Sequence, residues 1–392
     1  MLLYTGLFKE LNRKLELYLP NYKISIVNFA NSVMKVLGLK PNGPVLPDNV
    51  HSALEGVESI TILVIDGLSS YLIEKAPEFP LIKKRGKYFK ISSVFPTTTT
   101  TAMASLVTGL EPCEHGVLGY SMLSREVGSI IEIIRTTPYD KIAEIIDPEK
   151  FLPVPPIHKK ARGGGLDSKL YIKRYLVDTF LTKALYDDAE VVPYVDLEDL
   201  MIRLIGERGE LISAYWEVLD TAAHVYSPDS EEVKAYVSRV LSLISKLPFK
   251  KKGRRAFVIV ADHGFVDARK RQDRIVDDKD IVNKLYLPPF GDMRATFLLP
   301  LEDSYDEVLD EVNRKYGKWC LALKKEEALE LRLLGLREVK DLALYRLGRL
   351  ILLPKEGYAL DIRPKKRKYE MKGAHSGLSK KELEVPLLIF RY

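Results

Sequence analysis

AFVIVADHG, residues 256–264, is the stretch on which the fold turns. Its apolar residues run without polar alternation, as in a strand of a parallel sheet buried on both faces, and then stop at Asp262, His263 and Gly264. Two other segments share this design. SITILVID, residues 59–66, ends on Asp66 before Gly67, and ELISAYWEVLD, residues 210–220, ends on Asp220. Each reads as a buried strand that delivers an acid at its carboxyl end, where open α/β sheets gather functional groups.

Between these runs lie helical patterns such as Ser230 to Lys246, apolar at three- and four-residue spacing. Strands alternating with helices predict an α/β fold. The segment from Pro138 to Asp167, rich in Pro and Gly, reads as a long surface loop or domain edge. From Asp267 to Tyr369 the pattern becomes charged and mixed, with a helix expected over Ser304 to Tyr316 and a strand over Arg349 to Leu353. The expected organisation is therefore a core over 1–266, an inserted α+β subdomain over 267–369 that could cap the site, and a final core segment over 370–392.

Composition bounds the partners. A chain of 392 residues with 46% hydrophobic content can bury a sizeable core. Its 60 basic and 54 acidic residues leave a net charge of +6, which suits a small anionic substrate and falls well short of a nucleic-acid-binding surface. The basic runs Lys250 to Arg255 and Arg363 to Lys368 read as solvated faces. Cys113 and Cys320 form neither a disulfide framework nor a CxxC site, and with no signal-peptide pattern and no membrane-span-length apolar run, a cytoplasmic protein is expected. A single glutamine, Gln272, amid abundant Lys, Arg and Glu is a thermophile-like bias.

Three of the six histidines keep informative company. Asp220 and His224 in DTAAH share one face of a helical turn, Asp262 and His263 follow a strand, and His375 lies in the glycine-flanked KGAHSG. With Asp66 these make three carboxylates and three imidazoles. Zinc accepts both ligand types at about 2.0–2.2 Å, and manganese or iron also uses them. Six ligands exceed one catalytic zinc and suit two ions, roughly 3.5–4 Å apart, clamping an in-line phosphoryl displacement.

TTTTTAMASLVTG, residues 97–109, reads as a helix with a hydroxyl-rich first turn. Threonine caps helices, and free N–H groups at a helix start favour a phosphate. A threonine hydroxyl becomes a nucleophile when metal coordination lowers its pKa. The residues alone do not select one threonine of the five.

LVIDGL (63–68), FPTTTTTAMASLVTGLEPCEHGVLGY (95–120), YWEVLDTAAHVYSP (215–228), VIVADHGF (258–265), FGDMRATFLL (290–299) and GAHSGLSKKELEVPLL (373–388) follow one another in an order that resembles the type I phosphodiesterase/nucleotide pyrophosphatase family of the alkaline phosphatase superfamily. The resemblance implies a Rossmann-like core with a largely parallel sheet and helices on both faces, two divalent metals, commonly zinc, and a covalent phosphoenzyme. Alignment on Pro96 and Ser105 makes Thr99 the implied nucleophile. It also implies one metal held by Asp66, Thr99, Asp262 and His263, and another by Asp220, His224 and His375. Ala102 departs from the asparagine that eukaryotic-type members carry three residues after the nucleophile. Arg294, Tyr120, Tyr215 and Trp216 are the expected substrate contacts, with Met122 beside Tyr120 as a further apolar wall.

The expected function is metal-dependent hydrolysis of phosphodiester or phosphoanhydride bonds in a small phosphorylated substrate such as a nucleotide. A phosphomonoesterase and a phosphonate hydrolase are the rivals within the superfamily. A threonine nucleophile argues against a phosphoglycerate mutase, and the CEHG context of Cys113 argues against a sulfatase. A non-catalytic anion-binding protein and a nucleic-acid-binding module are the alternatives of other classes.

Overall fold

The computed structural model describes residues 15–135, 145–148, 151–186, 188–249, 253–363 and 370–392. Its centre is a seven-stranded sheet in the order Lys87–Ser92, Glu384–Arg391, Arg255–Val260, Ser59–Ile65, Leu211–Trp216, Ser168–Lys173, Glu190–Tyr194. Every pairing is parallel except the two made by Glu384–Arg391, so the α/β expectation holds. The apolar runs have the cause the sequence suggests: all seven residues of Ser59–Ile65 and all six of Leu211–Trp216 are buried.

Register explains why the acids converge. Val64 pairs with Val260 and Ile65 with Trp216, so Asp66 and Asp262, each two residues past a paired valine, leave the sheet side by side. The helix Val218–Tyr226, carrying Asp220 and His224, starts at the same edge. The helix Glu231–Ser245 follows the expected bounds, with the Ser230 hydroxyl accepting from the Val233 N–H.

A second, antiparallel sheet has the order Cys320–Lys324, Leu350–Pro354, Ala295–Leu298, Phe290–Asp292, Ser121–Ser124, Ser129–Glu132. Along Leu350–Pro354, Leu350 and Leu352 join a core with Val308, Val312 and Trp319, while Ile351 and Leu353 join another with Phe95, Leu123 and Phe297. Both faces are covered, which accounts for the continuous apolar run. The expected helix and strand of this region occur as Tyr305–Tyr316 and Leu350–Pro354.

Two expectations need correction. The second sheet is not confined to 267–369, because two of its strands come from residues 121–132, directly after the threonine helix. The stretch 138–167 is not simply a surface loop: Phe151 and Leu152 are buried, and the helix Ile157–Gly163 packs through Ile157, His158 and Ala161. Residues 138–144 and 149–150 of it, like 250–252 and 364–368 of the basic runs, lie outside the described residues.

Candidate active site and metal centre

The threonine run opens a helix over Thr99–Thr108 that is buried on every side. It stops where Gly109 takes a left-handed conformation, φ 66°, and a β-carbon there would stand 2.7 Å from the Asn31 side chain. Four of the five hydroxyls have their own destinations, and the fifth, Thr101 Oγ1, is buried with no hydrogen-bond partner among the described residues. Thr97 Oγ1 donates to the Gly377 carbonyl at 2.9 Å, Thr98 Oγ1 to Asp292 Oδ2 at 3.0 Å, and Thr100 Oγ1 to the Gly119 carbonyl at 2.8 Å. Thr99 Oγ1 alone points into the cluster, 3.5 Å from Asp66 Oδ2 and 3.2 Å from His263 Nε2.

All six carboxylate and imidazole residues come together. His263 Nε2 lies 3.4 Å from both Asp66 Oδ1 and Asp262 Oδ2. Asp220 Oδ1 lies 3.7 Å from His224 Nε2 and from His375 Nε2. The His263 and His375 rings stack at 4.0 Å, bringing the two halves into contact. Ligand atoms of Asp220, His224 and His375 fall within 4.8 Å of one another, and so do those of Asp66, Asp220 and His263. Asp220 thus belongs to both groups. Asp262 belongs to neither, and its Oδ1 accepts from the Gly67 and His263 N–H groups at 3.2 and 2.9 Å.

Two observations test whether a cation fits here. Asp66 Oδ1, Asp220 Oδ1 and Asp262 Oδ2 are buried with no hydrogen-bond partner among the described residues, which is costly for a carboxylate unless a cation completes it. Each histidine meets a carbonyl through Nδ1: His224 with Gly373 at 2.9 Å, His375 with Thr97 at 3.0 Å, His263 with Gly264 at 3.1 Å. A carbonyl only accepts, so Nδ1 carries the proton and the Nε2 lone pair faces the cluster, the usual arrangement of a metal-ligating imidazole. The residues fit two cations.

The electrostatics agree. Burial, then the Asp262 and Asp220 carboxylates, push Asp66 well above its ordinary pKa, while Tyr215, donating its hydroxyl to Asp66 Oδ2, pulls the other way. Asp220 is raised by burial and then by Asp262 and Asp292. His375 is lowered by burial and by the adjoining His263 and His224. Crowded like charges held away from water are what a bound divalent ion relieves.

Two cavities meet at this cluster. One of about 780 Å³ is lined by Thr98, Thr99, Tyr120, Asp220, His224 and His375 together with side chains from the second half of the chain, among them Leu287, Asp292, Met293, Ile362 and Met371. The other, about 210 Å³, is mostly apolar, with Met103, Ile172, Leu181, Leu185 and Tyr186 on its walls, and it shares Thr99, Asp220 and Thr221 with the first.

The expected substrate contacts divide. Tyr120 lines the large cavity, and Tyr215 lines the small one while holding Asp66. Trp216 lines neither; it is buried beside Tyr236, because alternation along the strand turns it away from Tyr215. Met122 is likewise buried in the core. Arg294 does not reach substrate: it is fully buried in a two-bonded ion pair with Glu382. Ala102, also fully buried, offers no polar contact in place of the family's asparagine. Sequence reading missed Asp292, which lines the large cavity, accepts from Thr98, and is pushed by burial to about 6. Its position inside FGDMRATF, two residues from Arg294, was the available signal.

An α/β core that gathers three carboxylates and three imidazoles beside one buried hydroxyl, at the edge where its central strands end, has the form of a phosphoryl-transfer type of hydrolytic site. The family model for type I phosphodiesterase/nucleotide pyrophosphatase matches residues 60–378, and the chain belongs to that family of hydrolases, which act on phosphoric ester or anhydride bonds. Three solved structures of low sequence identity share the fold. Human ectonucleotide pyrophosphatase/phosphodiesterase 5 is 19% identical with a TM-score of 0.64, over 85% of this chain and 87% of that one. The murine protein, solved as an inactive threonine-to-alanine variant with AMP, is 20% identical at 0.63, over 85% and 88%. Phosphonoacetate hydrolase from Sinorhizobium meliloti with phosphonoformate is 19% identical at 0.61, over 86% and 90%. No helix among the described residues is long and apolar enough to cross a membrane.

Proposed function

We propose that the protein is a two-metal phosphodiesterase that works through a phosphothreonine at Thr99. The observation that carries this reading is the position of the Thr99 hydroxyl, at the junction of both candidate ligand groups and both cavities. Asp66, Thr99, Asp262 and His263 would hold one ion, and Asp220, His224 and His375 the other, with Asp220 close enough to face both. The nitrogen and oxygen donor set favours zinc, with manganese or iron as alternatives. When bound, such ions lower the pKa of the hydroxyl and neutralise charge on the phosphoryl oxygens.

The chain's own groups arrange the rest. Asp66 Oδ2, 3.5 Å from the Thr99 hydroxyl, accepts its hydrogen and leaves an oxygen lone pair for phosphorus, while His263 Nε2, 3.2 Å away, would keep its lone pair for the ion. Thr99 Oγ1 bonds to phosphorus as the first ester or anhydride oxygen leaves and takes up a proton. Water then cleaves the phosphothreonine, restoring the hydroxyl and releasing the phosphate that carries the second group. The start of the helix, where the Thr98 side chain turns to Asp292 and makes no capping bond, offers backbone N–H groups to the phosphate in place of the missing asparagine.

The large cavity, lined on one side by Thr99, Asp220 and His224 and on another by Val276, Leu287, Met293, Ile362 and Arg363, supports a capping role for the region 267–369. The small apolar cavity suits a nucleobase-sized group, and the murine relative's AMP complex supports a nucleotide. That relative's inactive threonine variant is consistent with threonine as nucleophile. Both cysteines are buried free thiols, as suits a reducing compartment such as the cytoplasm.

The test compares a chromogenic phosphate diester with the matching monoester, in zinc or manganese, for wild type and Thr99→Ala. The diester is expected to be preferred, and the variant to lose about three or more orders of magnitude in turnover. Preference for the monoester would move the reading to a phosphatase. The fold shared with phosphonoacetate hydrolase supports one second reading, phosphonate cleavage, which phosphate release from phosphonoacetate would reveal.

A further inference from the structure

Arg294 and Glu382 are fully buried, 88 residues apart, and touch neither cavity, yet they connect the two halves of the site. Arg294 Nε donates to Glu382 Oε1 at 2.7 Å and Nη2 to Oε2 at 2.9 Å, while Nη1 spans the Lys355 and Tyr358 carbonyls at 2.9 and 2.6 Å. Glu382 also accepts from the Gly377 and Ser379 N–H groups at 2.8 and 2.9 Å, and the Arg294 N–H donates to Ser376 Oγ at 3.2 Å. The loop that carries His375 is thus gripped at Ser376, Gly377 and Ser379, one, two and four positions after the histidine. It needs the grip, because Ser376 sits at φ 91°, a strained value for any residue but glycine.

The other side of the same loop is tied to the nucleophile turn. The Thr97 N–H donates to the Ser376 carbonyl at 3.3 Å and its hydroxyl to the Gly377 carbonyl at 2.9 Å, while the Thr97 carbonyl accepts from His375 Nδ1 at 3.0 Å. Asp292, two residues before Arg294, holds Thr98. A buried ion pair seldom stabilises a fold more than well-packed apolar residues would. This one is spent on the orientation of a loop.

We propose that Arg294 and Glu382 are positioning residues: they clamp the His375 loop against Thr97 and Thr98, keep His375 Nε2 aimed at Asp220, and so set the cation affinity of the Asp220, His224 and His375 group separately from that of the Asp66 and His263 group. The inference rests on the two-ion reading above. Partners of ligating histidines typically change metal affinity by about 10- to 100-fold when altered.

The experiment is zinc titration by calorimetry, with equilibrium dialysis, on the metal-stripped full chain. Wild type is expected to bind two zinc ions, and His224→Ala to lose one of them. Glu382→Gln should weaken that same ion by about 10- to 100-fold while the other changes by less than about twofold. Thr97→Val, which removes only the hydroxyl link to Gly377, should weaken it in the same direction with the ion pair intact, and covers the case in which Glu382→Gln does not fold. Equal weakening of both ions, or unchanged affinity in the variants, overturns the proposal. Wild type binding fewer than two zinc ions overturns the parent reading instead, and is seen before any variant is compared.

Discussion

Lowering the pH from 7 to 5 should destabilise this protein through two histidines that lie outside the active site. His115 and His158 are fully buried, and burial lowers each from 6.5 to about 3, with Arg346 adding to the effect at His115. Their partners suit the neutral ring. His158 lies between the Ser168 and Ser213 hydroxyls at 2.6 and 2.8 Å, and His115 accepts from the Val117 N–H at 3.0 Å and meets Ser105 Oγ at 3.0 Å. The unfolded chain therefore takes up protons below pH 6.5 that the folded chain refuses until about 3. The associated stability is fully present above 6.5 and lost as pH falls towards 3.

At about 1.4 kcal/mol per pH unit, each histidine accounts for roughly 2 kcal/mol between pH 7 and 5, and the pair for about 4 kcal/mol. Guanidinium denaturation at both pH values, followed by fluorescence of Trp216 and Trp319, measures the loss. Gln in place of either histidine keeps hydrogen-bonding capacity but does not titrate, so His158→Gln should lose roughly 2 kcal/mol less than wild type over the same interval, whatever its stability at pH 7. Identical losses in wild type and variant would show that the ring is not held neutral, and would refute the reasoning.

Two further outcomes follow from the site's packing. Gly67→Ala places a β-carbon 2.6 Å from the Phe265 ring at a backbone φ of 77°, so it should cost about 2 kcal/mol or more in the same denaturation assay, and a change under about 0.5 kcal/mol would contradict it. Leu185→Trp should fill much of the small cavity and raise KM for an aryl phosphodiester by about tenfold while leaving a methyl diester nearly unaffected; an equal rise for both would remove the cavity from substrate binding.

The clustering of the candidate residues was largely legible because Asp66 and Asp262 sit at strand ends. Asp66 and Asp262 each follow an apolar run that forms a buried strand, so their convergence follows from sheet physics, while Asp220, expected at a strand end, joins them from the first turn of the helix Val218–Tyr226. What escaped reading depended on distant partners. Glu382 in SKKELE looks like one more exposed charge on a lysine-rich turn, and only Arg294, far away in the chain, makes it a buried acceptor. Arg294 was mistaken for a substrate contact for the same reason. Tyr215 and Trp216 could not be told apart, since both faces of a central strand are apolar and nothing local says which faces a cavity. The second sheet was hidden more thoroughly, because Ser121 pairs with Gly291, 170 residues away.

The strand Glu384–Arg391 lies inside the central sheet, between Lys87–Ser92 and Arg255–Val260. During synthesis at about 5–20 residues per second, the ribosome delivers Lys87–Ser92 nearly 300 residues before the strand it must pair with. Until that strand emerges the edge of Arg255–Val260 stays open, and until the His375 loop emerges the Asp220, His224 and His375 half of the site is incomplete. The central sheet thus closes long after its first strands have been made, and the interval in which an unpaired strand edge is exposed, when aggregation competes with folding, lengthens as translation slows.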